Sequence, residues 1–149
     1  MPPITVSTEV DRSAEDVFAY ATDPTRFAEW QAGVIDGRMD QPGTPAVGAR
    51  CLTSRRIGGA NRPSTSEVAH INPPRTWGVR GIDGPIRPVG KGSIEPLDGG
   101  ERSRFTIEFD FEAPGIGGKL LRPIALAQAR KAIPKGQQRL KERLESGAV

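Results

Sequence analysis

Two side chains in the sequence, His70 and Cys51, have the chemistry that acid–base or nucleophilic catalysis requires. They are the only histidine and the only cysteine in the chain. A histidine titrates near neutral pH and can act as a general base. His70 follows Val68 by two residues, so both side chains would lie on one face of a regular strand. If that face lines a cavity, His70 is a candidate hydrogen-bonding group or base. A surface histidine is the alternative, and we favour it.

Cys51 would face inward together with Val47 and Ala49 if the strand that contains it is regular. A nucleophilic cysteine needs a neighbouring base and electropositive surroundings, and the sequence indicates neither. We therefore interpret Cys51 as a small buried apolar side chain and predict no catalytic residue. We also predict no metal site and no cofactor, because one histidine and one cysteine leave only carboxylates as further metal ligands.

Three arginines, Arg55, Arg56 and Arg80, are the remaining candidates for a polar role inside the protein. An inward arginine could bind a carbonyl or enolate oxygen, as a cyclase would require. We expect all three to point outward, because burying an unpaired guanidinium is strongly unfavourable. The glycine-rich stretches 58–59 and 115–118 lack the sequence of a phosphate-binding loop and the spacing of a dinucleotide-binding turn. We predict that they are turns.

The spacing of apolar residues changes along the chain, and it predicts the strands and helices that would position these residues. Ile4–Val10 alternates between two faces, which predicts a strand. Ser13 is suited to cap a following helix, and Asp23-Pro24 is expected to begin a second short helix, since aspartate caps and proline fits the first helical position. Phe27 and Trp30 should form its buried side. These features predict one strand followed by two short helices.

The middle of the chain has the recurring turn signals of an antiparallel meander, at 41–45, 58–61, 72–74, 83–85 and 98–100. The clearest strand is 104–112, in which Phe105, Ile107, Phe109 and Phe111 alternate with polar residues. We predict that these four side chains all point to the buried face of the sheet, because a slip of one residue would expose all of them. The other face of this sheet should be in contact with water.

The C-terminal part has a helical apolar pattern that extends to Glu145. Pro134 interrupts it and should kink or break the helix, because proline removes one main-chain hydrogen bond and crowds the preceding turn. The predicted order is therefore one strand, two short helices, about six strands and a long helix, which defines an α+β fold. The long helix is the only element large enough to cover the apolar face of the sheet.

Composition limits the classes of function that the chain can have. Its 149 residues are predicted to form a single domain, 1–149, with a net charge of +3. Basic residues near the C-terminus alternate with acidic ones, which predicts a solvated helix face and no nucleic-acid partner. No apolar stretch approaches the roughly 18 residues of a membrane span, and we see no secretory signal. A single cysteine forms no internal disulfide, so a cytoplasmic location is expected.

Several short motifs occur in a characteristic order along the whole chain. They are 6–18, the Asp23-Pro24 helix start with Trp30 after it, 47–50, 67–68 with 72–75, 94–100, 117–123 and 140–142. In this order they resemble the polyketide cyclase/dehydrase family of the START-like and birch-pollen-allergen-like superfamily, also called SRPBCC. Arg12-Ser13 is a departure, because many relatives have Ala-Pro there. The resemblance implies the helix-grip fold, a curved antiparallel sheet of about seven strands around a long C-terminal helix.

The resemblance also implies a cavity between the sheet and the long helix. Trp77 and Val79 are candidates for its wall because they alternate on the strand that follows Pro74. The residues expected to line the cavity are Cys51, His70, Trp77, Val79, Phe105, Ile107, Phe109, Leu120 and Ile124. A pocket for a small molecule would have a volume of about 300–1,000 Å³. A solid core built from the same residues is the alternative.

The leading hypothesis is that the protein binds or carries a small hydrophobic ligand, such as a lipid or a polyketide, with no stable insertion into a membrane. The family has no universal catalytic motif to carry over, and fold alone does not determine function. An aromatase/cyclase-type enzyme without a metal is the first alternative, with His70 as its one plausible base. The second alternative is a protein- or membrane-interaction module with a filled core.

Overall fold

The computed structural model describes residues 3–43, 45–57 and 59–149. The turns predicted at 41–45 and 58–59 each include one residue outside these ranges. The described elements are β1 (Ile4–Val10), α1 (Ala14–Ala21), a 3₁₀ turn (Pro24–Arg26), α2 (Phe27–Trp30), β2 (Val34–Met39), β3 (Arg50–Ile57), β4 (Ala60–Asn72), β5 (Thr76–Gly81), β6 (Arg87–Leu97), a second 3₁₀ turn (Asp98–Gly100), β7 (Arg102–Glu112) and α3 (Ile116–Glu145).

The strands form one antiparallel sheet of seven strands in the order β1-β7-β6-β5-β4-β3-β2. Strands β1 and β2 are consecutive in the chain but lie at opposite edges of this sheet. The short helices α1 and α2 occupy the connection between the two edges, and α3 packs against the inner face. The predicted fold class, an α+β helix-grip fold with a curled sheet around a long C-terminal helix, is confirmed.

Strand β7 has the alternation that its sequence predicts. Phe105 and Phe111 are buried, whereas Ile107 and Phe109 are partly buried and pack against the core. The polar residues between them lie on the outer face, because successive side chains of a strand point to opposite sides. The prediction that the four apolar side chains share the inner face is confirmed.

The segment before β2 is positioned by two caps. The Asp16 main-chain N–H donates to Ser13 Oγ at 3.2 Å, which caps α1 as predicted. The Thr25 N–H donates to a carboxylate oxygen of Asp23 at 3.0 Å. The Asp23-Pro24 pair begins a 3₁₀ turn that leads into α2, and does not begin α2 itself. These caps bring Trp30 into the interior, where only 4% of its surface is exposed.

Helix α3 runs for 30 residues without interruption. We predicted a kink or a break at Pro134, and the break does not occur, since the helix continues through both Pro123 and Pro134. Both prolines are exposed, so water can replace the main-chain hydrogen bond that each ring removes. None of the helices in the described ranges has the length and apolar composition needed to cross a bilayer.

The interior consists of two clusters of buried side chains along α3. The first includes Phe18, Trp30, Phe105, Leu140 and Leu144 and joins α1 and α2 to the C-terminal half of α3. The second includes Ile4, Ile86, Phe111, Ala125 and Leu126 and lies against the N-terminal half. Partly buried residues of both clusters face a common space, which is the cavity described below.

Candidate functional site

A cavity of about 180 Å³ lies between the inner face of the sheet and the helices α2 and α3, and it is partly open to solvent. Its wall is mostly apolar. This volume is below the range of about 300–1,000 Å³ that we expected for a small-molecule pocket. The cavity therefore suits a small or medium-sized ligand, part of which remains at the mouth.

Five of the residues that the sequence predicted for the wall do line this cavity. They are Cys51 on β3, Trp77 and Val79 on β5, and Ile107 and Phe109 on β7. Phe105 belongs to the core and not to the cavity surface. Its ring is fully buried between Trp30 and Trp77, at centroid distances of 6.2 and 5.7 Å. Phe105 thus supports the wall from behind.

His70 lies outside the cavity, in the surface position that we favoured, so its place among the expected wall residues is wrong. A bulge in β4 between Val68 and His70 shifts the register against β5, so the two side chains do not share a face. Val68 is buried, whereas His70 is exposed. The imidazole ring lies directly against Gly78, where a β-carbon would overlap it. No base is therefore supplied to the cavity by the one histidine of the chain.

The predictions for Leu120 and Ile124 are also wrong. Their side chains are 73% and 52% exposed, because α3 is rotated so that Ala125 and Ala129 face the cavity instead. The same orientation brings Gly118 close to the loop between β5 and β6, where a β-carbon would overlap a main-chain oxygen. The contribution of α3 to the wall consequently comes mostly from small residues, with Gln128 and Ile133 beside them.

The functional residue that sequence reasoning placed wrongly is Arg55. We expected it to point outward, but Cys51, Thr53 and Arg55 alternate on β3 and all line the cavity. Arg55 Nη2 donates to Gln31 Oε1 at 3.2 Å, while Arg55 Nε is buried without a hydrogen-bond partner. Burial lowers the pKa of the Arg55 guanidinium. The sequence did contain this information. The two-residue alternation that places Cys51 on the inner face of β3 also places Arg55 there, four residues later.

The other two arginines are exposed, as expected. Arg80 projects from the outer face of β5 and forms an ion pair with Glu112 at 3.2 Å. Arg56 follows Arg55 on β3, but its side chain is largely in solvent. Arg55 is therefore the one member of the predicted group that is partly buried, with its Nε atom fully buried.

Small polar side chains lie near Arg55, on its own strand β3 and on the neighbouring strand β4. Ser64 on β4 is paired with Thr53 on β3, and Ser66 is paired with Cys51. Thr53 and Ser66 are each 6% exposed and line the cavity. Ser64 Oγ is buried and has no hydrogen-bond partner in the described structure. The polar end of the cavity thus contains donors that a bound molecule can satisfy.

The surroundings of the Cys51 thiol disfavour a nucleophilic role. Burial raises its pKa to about 11, and the smaller effect of the Arg55 charge does not reverse that shift. A neutral thiol reacts slowly, since the thiolate is the reactive form. Cys51 therefore acts as a small apolar part of the wall.

The chemistry available in this cavity is limited. Among the described residues no aspartate, glutamate or histidine lines it. The same part of the chain contains no group of three or more histidine, cysteine or acidic residues that could hold a metal ion. A site without a proton acceptor near neutral pH is poorly suited to general acid–base catalysis. The arrangement favours binding of an apolar body with polar contacts at one end.

Trp77 is held in the wall by a glycine on the neighbouring strand, and this contact leads to a testable prediction. A β-carbon at Gly92 would overlap the indole ring. Gly92→Ala should lower the free energy of unfolding by about 1–3 kcal/mol, which is typical of overpacking, and should change the tryptophan emission. Urea denaturation followed by fluorescence measures both effects.

Gly90→Ala on the same strand is the matched control for that variant. Its new β-carbon would lie 3.5 Å from a ring carbon of Phe109, which is an ordinary contact. The fold should therefore tolerate Gly90→Ala without loss of stability. Equal stability of the two variants would show that the indole of Trp77 does not depend on the space above Gly92.

Comparison with known proteins places the chain in a family. No curated protein matches it significantly. Similar solved structures include an aromatase/cyclase, Zhui from Streptomyces sp. R1128 (17% identity, TM-score 0.74, covering 95% of this chain and 93% of that one). A START superfamily protein from Mycobacterium smegmatis is also similar (15% identity, TM-score 0.74, 97% and 99%).

A third similar structure is that of a longer protein, the di-domain ARO/CYC BexL from the BE-7585A biosynthetic pathway. Identity is 14% and the TM-score is 0.72 over 97% of this chain, which spans about half of that one (47%). At such identities these structures establish the fold and not the activity. The family model described as polyketide cyclase/dehydrase and lipid transport matches residues 1–145. The chain therefore belongs to the polyketide cyclase/dehydrase and lipid transport family.

Proposed function

We propose that the protein binds a small hydrophobic ligand in the cavity between the sheet and α3, and that it carries or senses this ligand without converting it. The observation that carries the proposal is the cavity itself, a partly open and mostly apolar space bounded by Trp77, Ile107 and Phe109. Pockets for small molecules are typically concave and apolar with a few polar groups, and Arg55 supplies such a group here. The cavity also argues against an interaction module with a filled core.

The aromatase/cyclase alternative is favoured by one specific observation, the inward position of Arg55. A guanidinium in a dry site can stabilise an enolate or a developing oxyanion. A cyclase also needs a group that removes protons, and the described cavity wall has no carboxylate or imidazole. Incubating the protein with a reactive polyketide chain and analysing the products separates the two functions. Cyclised product formed faster than in a protein-free control would favour the enzyme.

Ligand binding should be visible as stabilisation of the fold. A ligand at a hundred times its dissociation constant raises the free energy of unfolding by about 2.7 kcal/mol. Trp77 and Trp30 both line the cavity, so the emission of both should change. We expect at least one member of a panel of medium-chain lipids and bicyclic aromatic compounds to shift both the melting temperature and the fluorescence.

A pair of variants on α3 makes this test specific. Ala132 lines the cavity, whereas Ala127 is exposed on the other side of the same helix. Ala132→Phe should fill the space and abolish the ligand-induced shifts, and Ala127→Phe should leave them unchanged. If no compound produces a shift in the wild-type protein, or if both variants behave alike, binding in this cavity is contradicted.

A further inference from the structure

Arg55 and the exposed Arg56 both line the cavity, and within the described part of the chain Arg55 has no carboxylate partner. Other arginines of the chain are paired with carboxylates, for example Arg122 with Asp110 at 2.8 Å and Arg80 with Glu112 at 3.2 Å. The one hydrogen bond recorded for the Arg55 guanidinium goes to the neutral Gln31 side chain. A guanidinium stays protonated in proteins, and the neighbouring Cys51 thiol is uncharged at neutral pH because its pKa is about 11.

A buried charge without a counter-charge is unfavourable, and proteins normally pair such groups. No carboxylate lines the cavity in the described part of the chain, so the protein does not supply the missing anion there. Arg55 Nε is buried and donates to nothing. The fold thus keeps a partly buried cation without a counter-charge in the wall of a mostly apolar cavity, which is the arrangement expected where a ligand brings the negative charge.

The space beside Arg55 limits the size of that charged group. A recess of about 20 Å³ adjoins the cavity and shares Arg55, Pro88 and Phe111 with it. Ser64, whose hydroxyl is buried without a partner, lines the same recess. Such a volume holds little more than one water-sized group. One oxygen of a carboxylate fits there, and carboxylates form paired hydrogen bonds with the guanidinium fork. Arg62 also lines this recess.

We propose that the ligand is an apolar carboxylic acid, whose carboxylate binds Arg55 and whose hydrocarbon body lies against Trp77, Ile107 and Phe109. This inference rests on the proposed function, because it specifies the ligand class for the same cavity. Arg55 is the residue that selects acids over neutral molecules of equal size. The Ser64 hydroxyl is placed to donate a further hydrogen bond to the acid.

Two pairs of compounds test the proposal, each with an acid and a neutral analogue: octanoate with octanol, and naphthoate with naphthalenemethanol. Dissociation constants at pH 7.5 come from fluorescence titration and calorimetry. The wild-type protein should bind each acid about 10- to 100-fold more tightly than its alcohol, since hydrogen bonds to charged groups are the stronger class. Arg55→Met should remove this preference by weakening acid binding and leaving alcohol binding unchanged.

Two further variants control the experiment. Arg80→Met removes an exposed arginine on the outer face of the sheet and should leave the preference intact. Arg55→Lys keeps the charge without the planar fork, and should retain part of the preference. If Arg55→Met does not fold, the wild-type preference and Arg55→Lys still decide the question.

The outcomes separate the two proposals. If alcohols bind as tightly as acids, and Arg55→Lys has the same dissociation constants as the wild type, the acid assignment is overturned. The proposal that the cavity binds an apolar ligand would still stand. Octyl phosphate that binds more tightly than octanoate would overturn the carboxylate assignment in favour of a larger anion. If neither acids nor alcohols bind, the proposed function fails and the acid assignment fails with it.

Discussion

Replacing Phe105 with alanine should lower the free energy of unfolding by about 3–5 kcal/mol, the range observed when a large aromatic side chain is removed from a packed core. The ring is 0% exposed and packs against both Trp30 and Trp77. Its loss removes the contacts of two aromatic neighbours at once and leaves a void that they cannot fill without moving. Urea denaturation of the wild type and the variant measures the difference.

Phe109→Ala is the matched comparison, because the two phenylalanines lie four residues apart on the same face of β7. Phe109 borders the cavity and is only partly buried, so the wild-type ring already lacks neighbours on one side. Removing it should cost clearly less stability and should enlarge the cavity, which would favour larger ligands. A Phe109→Ala variant that loses as much stability as Phe105→Ala would contradict the distinction between core and cavity wall.

Cys51 should react with a thiol reagent about 100-fold more slowly in the folded protein than in the denatured protein at pH 8. Burial raises its pKa from 9.0 to about 11, and each unit of pKa reduces the thiolate fraction about tenfold at a pH below both values. Steric shielding by the cavity wall adds to this effect. The measurement compares the rate with Ellman's reagent in buffer and in concentrated denaturant.

The pH dependence of this reaction provides an independent check. The rate in the folded protein should continue to rise as the pH approaches 11, whereas the rate in denaturant should level off near the ordinary cysteine pKa. A ligand in the cavity should slow the reaction further, because Cys51 lines the wall. Rapid labelling of the native protein at pH 8 would show that the thiol is neither buried nor neutral.

Much of the fold could be predicted from short-range patterns. The strict alternation in β7 identified its inner face, since only one register buries all four apolar side chains. The Ser13 cap and the Asp23-Pro24 pair marked the beginnings of the short helical segments, although the latter starts a 3₁₀ turn. The sequence does not reveal whether a long helix tolerates an internal proline. Only the structure shows that α3 continues through Pro134.

The candidate site was predicted less well, for identifiable physical reasons. The bulge in β4 inverts the side of the sheet on which His70 lies, and such a bulge has no reliable sequence signal. The orientation of α3 exposes Leu120 and Ile124 and brings Gly118 into close contact with the loop between β5 and β6, which the apolar pattern of the helix does not reveal. Arg55 was expected outside because burial of an isolated charge is unfavourable on average. Burial of a single positive charge is less unfavourable where a ligand supplies the opposite charge, as at a site that binds an anion.

The pairing of β1 with β7 also has a consequence for biosynthesis. Ser7 Oγ lies 2.7 Å from Thr106 Oγ1 although 99 residues separate them along the chain. A ribosome adds about 5–20 residues per second, so β1 waits on the order of 5–20 s for its partner strand to emerge. During this interval the apolar side chains of Ile4 and Val10 cannot be covered by β7. The nascent chain is therefore exposed to aggregation or chaperone capture until translation of β7 is complete.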